Sequence, residues 1–266
     1  MGYLEECLGR DFEITSYFPH QPLTPRLVRR LFRDLAAAGL RVGAPDSDHY
    51  PVLDGLKPAG ENGVRVSTDD VEDLLRSRSG PLQPGYGVIP LRGKVPGFDG
   101  QVEGTMQFSV HSPAHPELDG VHIRFDDASL RLAPAGDDKV GPGWRALLTW
   151  YGVLADTLRV AYGYGDWEDL FLQTAIPASR REVLAGLIDM LYRVNYLGPR
   201  LVERLGRSRV LSTPANAVVA LRHGGILIGG KLTYEGGGEE GFRLAAEHLG
   251  LRSRANEVQP SAFEGG

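Results

Sequence analysis

The sequence has 266 residues, of which 42% are hydrophobic and 24% are charged. This balance is that of ordinary globular domains and excludes an intrinsically disordered chain, which holds fewer apolar and more charged residues. The 34 acidic and 29 basic residues leave a net charge of -5. That charge disfavours nucleic-acid binding, because phosphates are neutralised by a basic surface.

The cysteine content and the length of the apolar runs indicate the cellular compartment of the protein. Cys7 is the single cysteine, so an internal disulfide is excluded. Residues 1–10 lack the layout of a secretory signal, and no segment approaches the roughly 18 consecutive apolar residues of a membrane span. We therefore expect a cytoplasmic protein that does not associate with membranes.

The first predicted elements are a strand and a helix. Residues 12–18 (FEITSYF) are rich in aromatic and β-branched side chains, which favour a strand. Thr24 is a suitable N-cap and Pro25 a suitable first residue for a helix that ends at Gly39. The proline-rich residues 41–63 predict a loop with one short strand.

Another helix, several strands and a long helix follow. Acidic residues in the first turn favour a helix over residues 67–78. Between residues 80 and 132 apolar side chains alternate with polar ones, which predicts three strands of an antiparallel sheet. Asp119 and Gly120 are typical of a hairpin turn. Residues 144–160 have the clearest helical periodicity in the chain.

The last part of the chain predicts further helices and a hairpin. We expect a long helix over residues 179–195, a short helix over 199–205 that ends at Gly206, a hairpin over 217–228 and a helix over 239–249. Residues 253–266 are expected to form a mobile tail.

The order of the elements indicates the α+β class. Strands are grouped between helices, without the regular alternation of strand, helix and parallel strand that a doubly wound nucleotide fold needs. We expect residues 1–252 to form one domain. In it, antiparallel sheet packs against several helices, as a single compact core or as two intimately packed halves.

Motifs for catalysis, metals or nucleotides are weak throughout. Residues 229–231 (GGK) lack the spacing of a phosphate-binding loop. His111 and His115 are the one close histidine pair, but Pro113 and Pro116 exclude the helix that would aim both rings at one metal ion. No Gly-x-Ser-x-Gly elbow raises a serine nucleophile. We therefore expect no enzyme activity, no metal and no cofactor.

The segment with the strongest functional signal is residues 162–171 (YGYGDWEDLF), which follow a long helix. Tyrosine and tryptophan dominate binding hot spots, and the interleaved carboxylates suit a partner rich in Lys and Arg. We expect an exposed loop here. The predicted partner-binding residues are Tyr162, Tyr164, Asp166, Trp167, Glu168 and Asp169. The structural alternative is that the rings pack against the sheet at a helix end.

A second distinctive stretch, residues 192–215, is interpreted first as a boundary between structural elements. Gly198 and Pro199 separate two helices, because proline is favoured in a first helical turn. Asn195 is expected to cap the second helix or to bind backbone.

These two stretches carry a resemblance. Residues 162–167 (YGYGDW), followed by residues 195–199 (NYLGP), by Pro214 and Ala215 and by the hairpin with its Gly-Gly turn, resemble the bacterial polymorphic-toxin immunity proteins of the immunity protein 52 type. The resemblance covers residues 144–228. It implies a cytoplasmic α+β protein that binds one cognate toxin domain and blocks it, without chemistry of its own. Because such families bind through variable surfaces, no contact residue is carried over.

Two alternatives remain open. One is a hydrolase that uses His122, Asp126 and Asp127, since alternation along a strand places His122 and Asp126 on the same face. The other is a subunit of a larger cytoplasmic assembly, in which the same aromatic segment contacts a permanent neighbour. The oligomeric state is left open by the sequence.

Overall fold

A computed structural model describes the chain in separate segments. These are residues 11–19, 25–42, 86–95, 101–109, 118–126, 142–167, 182–183, 185–188, 190–230 and 238–253. The helix predicted over 67–78, most of the loop over 41–63 and nearly all of the tail lie outside them.

The described segments contain eleven strands and five helices. The strands are β1 (Asp11–Pro19), β2 (Leu40–Val42), β3 (Tyr86–Lys94), β4 (Gln101–Ser109), β5 (Leu118–Asp126), β6 (Tyr162–Trp167), β7 (Met190–Leu191), β8 (Val194–Leu197), β9 (Ala217–Ala220), β10 (Ile226–Gly229) and β11 (Arg252–Ser253). The helices are α1 (Pro25–Ala37), α2 (Pro142–Leu158), α3 (Pro199–Leu205), α4 (Arg207–Leu211) and α5 (Gly238–Leu249).

Nine strands form one sheet in the order β2-β3-β4-β5-β1-β6-β8-β10-β9. Every neighbouring pair in this sheet is antiparallel. β7 and β11 form a separate parallel pair. The predicted α+β fold, with antiparallel sheet packed against several helices, is confirmed.

Helices cover both faces of the sheet. On one face, α1 and α2 pack over strand residues such as Phe12, Ile14 and Leu227. On the other face, α3, α4 and α5 pack over residues such as Tyr162 and Ile228. Because successive side chains of a strand point to opposite faces, the position of a residue along its strand decides which apolar layer it joins.

The helix α1 has two chemically distinct sides. Val28, Leu31 and Leu35 are buried against the sheet and α2. Arg26 and Arg33, on the opposite side, are exposed. The predicted boundary is confirmed, since the helix begins at Pro25 and is followed by a glycine of positive φ (92° at Gly39). This amphipathic helix therefore stabilises the core while it presents cations to solvent.

The hairpin turn predicted at Asp119 and Gly120 is wrong. Both residues lie inside β5, where Asp119 is opposite Phe18 and Gly120 is opposite Tyr17. β5 pairs with β1 over nine residues, and this long-range pairing outweighs the local turn preference of an Asp-Gly step.

The long helix predicted over residues 179–195 is also wrong in most of its described part. Glu182 and Val183 are helical, but Gly186 has a φ of 71° and the chain then enters β7 and β8. β8 is buried at every position, between β6 and β10. In a strand that is buried on both faces, apolar residues do not alternate with polar ones. The sequence pattern therefore does not distinguish such a strand from a buried helix.

The side chain of Asn195, in β8, closes the turn between β7 and β8. Its side-chain carbonyl accepts the Tyr192 N–H at 2.9 Å, and its amide donates to the Tyr192 carbonyl at 2.6 Å. The prediction that Asn195 binds backbone is confirmed.

The remaining elements of the last part largely follow the prediction. The short helix over residues 199–205, the hairpin and the last helix are confirmed. The helix α4 was not predicted, and Ser253 belongs to β11 rather than to a tail. Among the described residues, no helix has the length and apolar character to cross a bilayer.

Close packing of α2 on the sheet depends on Gly93. The Trp150 ring is fixed by an indole N–H bond to the Ala38 carbonyl (2.9 Å) and lies over β3. A β-carbon at Gly93 would overlap this ring. By contrast, a β-carbon at Gly152, inside α2, would meet the Leu221 Cδ2 at 3.4 Å, an ordinary contact.

We therefore expect Gly93→Ala to lower the free energy of unfolding by about 1–3 kcal/mol, the usual cost of overpacking. Gly152→Ala is the matched control and should raise it by up to about 1 kcal/mol, because alanine is the better helix former. Urea denaturation of the two variants measures both. Equal stability of the two would contradict the role of Gly93.

Candidate functional site

The residues predicted to bind a partner lie in β6, in the interior of the sheet. β6 pairs with β1 on one side and with β8 on the other. Tyr162, Tyr164 and Asp166 are only 1%, 4% and 2% exposed. The expectation of an exposed loop is therefore wrong for these three residues, and they offer no contact area to another protein. Trp167 ends the strand opposite Phe12, whereas Glu168 and Asp169 lie outside the described residues.

Alternation explains why this segment is a strand. Its tyrosines and Asp166 point to one face, and Gly163 and Gly165 point to the other, where a side chain at Gly163 would overlap the Tyr151 hydroxyl. The Tyr164 ring stacks on Tyr192 with centroids 4.7 Å apart. The glycines, which suggested a flexible loop, instead let α2 approach the sheet.

Asp166 is held in a buried ion pair. Its carboxylate accepts a bond from the Arg193 Nε at 2.9 Å, and the two side chains are 3% and 16% exposed. The carboxylate of Asp166 therefore neutralises the positive charge of Arg193 and is not available to a cation of a partner protein.

Asp166→Asn should therefore lower the free energy of unfolding by about 3 kcal/mol, since it removes one charge of a buried pair. Asp34→Asn is the matched control. Asp34 also contacts an arginine, Arg33, at 2.9 Å, but its side chain is 32% exposed and the loss should stay below about 1 kcal/mol. Urea denaturation near neutral pH compares them, and similar losses would contradict a structural role for Asp166.

Three buried tyrosines resist ionisation. Burial raises the pKa of Tyr151 and of Tyr164 above the usual value of 10.0. The pKa of Tyr196 rises to about 12, first because of burial and second because of the negative charge of Asp156. The fold therefore favours the neutral phenol.

The pKa of Tyr196 is 10.0 in the unfolded chain and about 12 in the folded protein. The neutral phenol therefore stabilises the fold fully below pH 10, and this stabilisation is lost as the pH rises toward 12. Over that range, Tyr196→Phe should reduce the decline of stability by up to about 1.4 kcal/mol per pH unit, the effect of one proton. Denaturation curves at pH 9 to 11 measure the slope. Parallel slopes for variant and parent would contradict the assignment.

His122, a residue of the hydrolase alternative, lies on β5 beside polar side chains of β1. Its Nδ1 is 3.1 Å from the Thr15 hydroxyl and its Nε2 is 3.5 Å from the Glu13 carboxylate. Asp126 ends the same strand and Asp127 lies outside the described residues. Cys7, His111 and His115 are outside them as well. Among the described residues there is no cluster of three or more metal-ligating side chains.

A serine and a histidine that the sequence did not bring together meet between α4 and α5. The Ser212 Oγ is 3.2 Å from the His248 Nε2, which is also 2.8 Å from the Arg209 carbonyl. The Ser212 hydroxyl donates to the same Arg209 carbonyl at 3.1 Å, so its proton is directed at the backbone and not at the histidine. This contact is structural.

The surface feature that remains is an open groove of about 1670 Å³. α2 contributes residues along its length, α1 contributes its polar side, and β9 with the residues after it contributes a third group. We call it the arginine groove because six of its lining residues are arginines, namely Arg26, Arg29, Arg30, Arg33, Arg145 and Arg222.

Positive charge is in excess in the arginine groove. Its two aspartates already have contacts within the chain. Asp34 pairs with Arg30 at 3.6 Å and with Arg33 at 2.9 Å. Asp156 accepts the backbone N–H of Arg222 at 3.3 Å. Among the lining residues that the structure describes, six arginines against two aspartates leave four positive charges in excess, on a chain whose net charge is -5.

Four of the arginines are open to a ligand. Within the described part of the chain, no carboxylate forms an ion pair with Arg26, Arg29, Arg145 or Arg222. The sequence carried a signal for part of this surface, since Arg26, Arg29, Arg30 and Arg33 recur at helical spacing opposite the buried side of α1. The contributions of α2 and β9 depend on tertiary structure.

Comparison with models of known protein families and with curated protein sequences finds no match to this chain.

Proposed function

We propose that this protein binds another protein by direct contact and blocks it, and that the arginine groove is the docking surface for an acidic segment of that partner. The observation that carries the proposal is the charge of the arginine groove, which is opposite to that of the chain as a whole. Complementary charge across an interface favours encounter and fixes register.

The lining of the arginine groove favours a protein over a nucleic acid. Val153, Val219 and Leu221 lie among the arginines and give apolar contact area to side chains. The lining residues that the structure describes include no Phe, Tyr or Trp on which bases could stack.

The overall negative charge does not prevent docking of an acidic segment. Charges further apart than about 8 Å are largely screened at physiological ionic strength. At contact, the arginines of the arginine groove dominate. Arginine also binds carboxylates with two parallel N–H bonds, which gives direction as well as attraction.

This proposal changes the chemistry expected of the partner. The expectation of a basic partner rested on carboxylates near residue 166, and Asp166 is buried in an ion pair. We propose instead a partner with an acidic contact segment. In the form that the resemblance to immunity proteins implies, that partner is a toxin domain encoded beside the gene.

Replacement of two exposed arginines tests the groove. Arg26→Glu/Arg145→Glu should weaken the complex with that toxin domain by about 100-fold, roughly 1–2 kcal/mol for each reversed charge. Arg41→Glu/Arg200→Glu changes the net charge equally at exposed positions outside the arginine groove and should leave affinity within about 3-fold. Calorimetry gives the dissociation constants, and survival on co-expression gives the biological readout.

Two results count against the proposal. Equal affinity of the two double variants removes the arginine groove as the docking surface. A toxin that stays fully active when co-expressed with the parent protein removes the blocking role itself.

The hydrolase remains the second candidate because His122 contacts both a hydroxyl and a carboxylate, on Thr15 and Glu13. A hydrolytic activity of the pure protein that is lost in His122→Ala and kept in Arg26→Glu/Arg145→Glu would replace docking by catalysis as the function.

A further inference from the structure

β9 is the end strand of the nine-stranded sheet and forms one wall of the arginine groove. Among the described residues it pairs only with β10. Its residues become more exposed along the strand, and Val219 is 43% exposed. A strand with one unpaired side offers a row of backbone donors and acceptors to an incoming strand.

The pairing pattern identifies which backbone groups face outward. The Leu221 N–H bonds to the Gly225 carbonyl at 2.9 Å, so Leu221 points its backbone groups at the hairpin partner. In an antiparallel pair this orientation alternates, so Val219 also points toward β10. Val218 and Ala220 therefore point their N–H and C=O groups away from the sheet.

β9 has only four residues, but it carries neither of the residue types that protect strand edges. Its residues are Ala217, Val218, Val219 and Ala220, with no charge and no proline. The opposite edge of the sheet, β2, has three residues and an exposed arginine, Arg41. Charged residues and short length are the usual ways in which an edge is kept from pairing with another chain.

The charge around β9 indicates what kind of strand fits. Residues 207–222 contain Arg207, Arg209 and Arg222 and no acidic residue. Arg222 lines the arginine groove, whereas Arg207 and Arg209 lie on α4, which belongs to the layer on the other face of the sheet. An added strand alternates its side chains between the two faces. Carboxylates on the groove face of such a strand would therefore lie on the side of Arg222 and the other groove arginines, whereas Arg207 and Arg209 already bond the Gly224 and His248 carbonyls.

We infer that the acidic segment of the partner binds in extended form and adds to β9 as a tenth strand, with backbone bonds to Val218 and Ala220. The inference rests on the proposed docking function and names the mode of binding. A second copy of this chain is disfavoured as the occupant, because self-pairing would bring two sets of these arginines together.

The probe is a synthetic peptide, acetyl-Glu-Val-Glu-Val-Glu-Val-Glu-amide, added to the full chain. Residue-resolved amide hydrogen exchange by NMR should show the N–H groups of Val218 and Ala220 slowed by about 10-fold or more at saturation. The N–H groups of Val219 and Leu221 already bond within the hairpin and should not change. The same peptide with Lys in place of Glu is the control and should give no protection.

Paired substitutions separate the backbone bonds from the side chains. Ala220→Pro removes an outward N–H without removing a bond to β10, and proline is tolerated on the solvent side of an edge strand. It should weaken peptide binding by about 10-fold or more, because one hydrogen bond to the edge is lost and the proline ring obstructs the edge. Leu244→Ala, at an exposed position of α5 outside the arginine groove, shortens a side chain without touching β9 and should change the affinity by less than about 3-fold.

Several outcomes would overturn the strand addition. These are failure of the Glu peptide to bind, binding without protection of Val218 and Ala220, equal protection by the Lys peptide, or protection that depends on protein concentration without peptide, which would indicate a second copy. None of them changes the toxin affinities of Arg26→Glu/Arg145→Glu and its control. The toxin affinities therefore test the proposed docking function, and the peptide experiments test strand addition independently.

Discussion

The pairing of β1 with β5 on one side and β6 on the other is the constraint on which the rest of the structure depends. It joins three parts of the chain that are far apart in sequence. It also fixes which side chains join which apolar layer, because a one-residue shift in register would turn every side chain of β1 to the opposite face. Ser16 shows how closely this register is specified, since its buried hydroxyl meets the Tyr151 hydroxyl of α2 at 2.9 Å.

The same register separates the charges of the molecule. It directs Asp166 inward to Arg193, and it leaves α1 over the other face with its arginines outward. Asp166 is thus held by an internal partner, while arginines of α1 face solvent. The net charge of the sequence therefore does not describe the surface that a partner meets, and this is why the expectation of a basic partner gave way to the opposite proposal.

Sequence periodicity was sufficient where one side of an element faces water. α1, α2 and the strands β3 to β5 were predicted because their apolar residues recur with a clear period. It failed at β8 and β6, because both faces of these strands are buried. In β6, tyrosine and glycine also alternate. The glycines of β6 were read as a flexible loop, but they serve a close approach of Tyr151 to the sheet.

Only the local part of the candidate site could be predicted from the sequence. The arginines of α1 are visible as a helical stripe, but Arg145 and Arg222 lie more than 70 residues apart along the chain and meet them only after folding. The free edge of β9 depends on the order of nine strands, which no local pattern contains.

Gly152 connects the stability of α2 with the depth of the arginine groove. A glycine in the middle of a helix is less favourable than alanine by about 1 kcal/mol. It lies on the groove side of α2 beside Thr149 and Val153, so the floor there is built from short side chains. The side chain of Leu221 lies over Gly152, and the missing β-carbon lets the residues that follow β9 pack close to the backbone of α2. Glycine at this position weakens the helix, so a variant selected only for thermal resistance would be expected to acquire a larger residue here and to hold this wall of the groove slightly farther from α2.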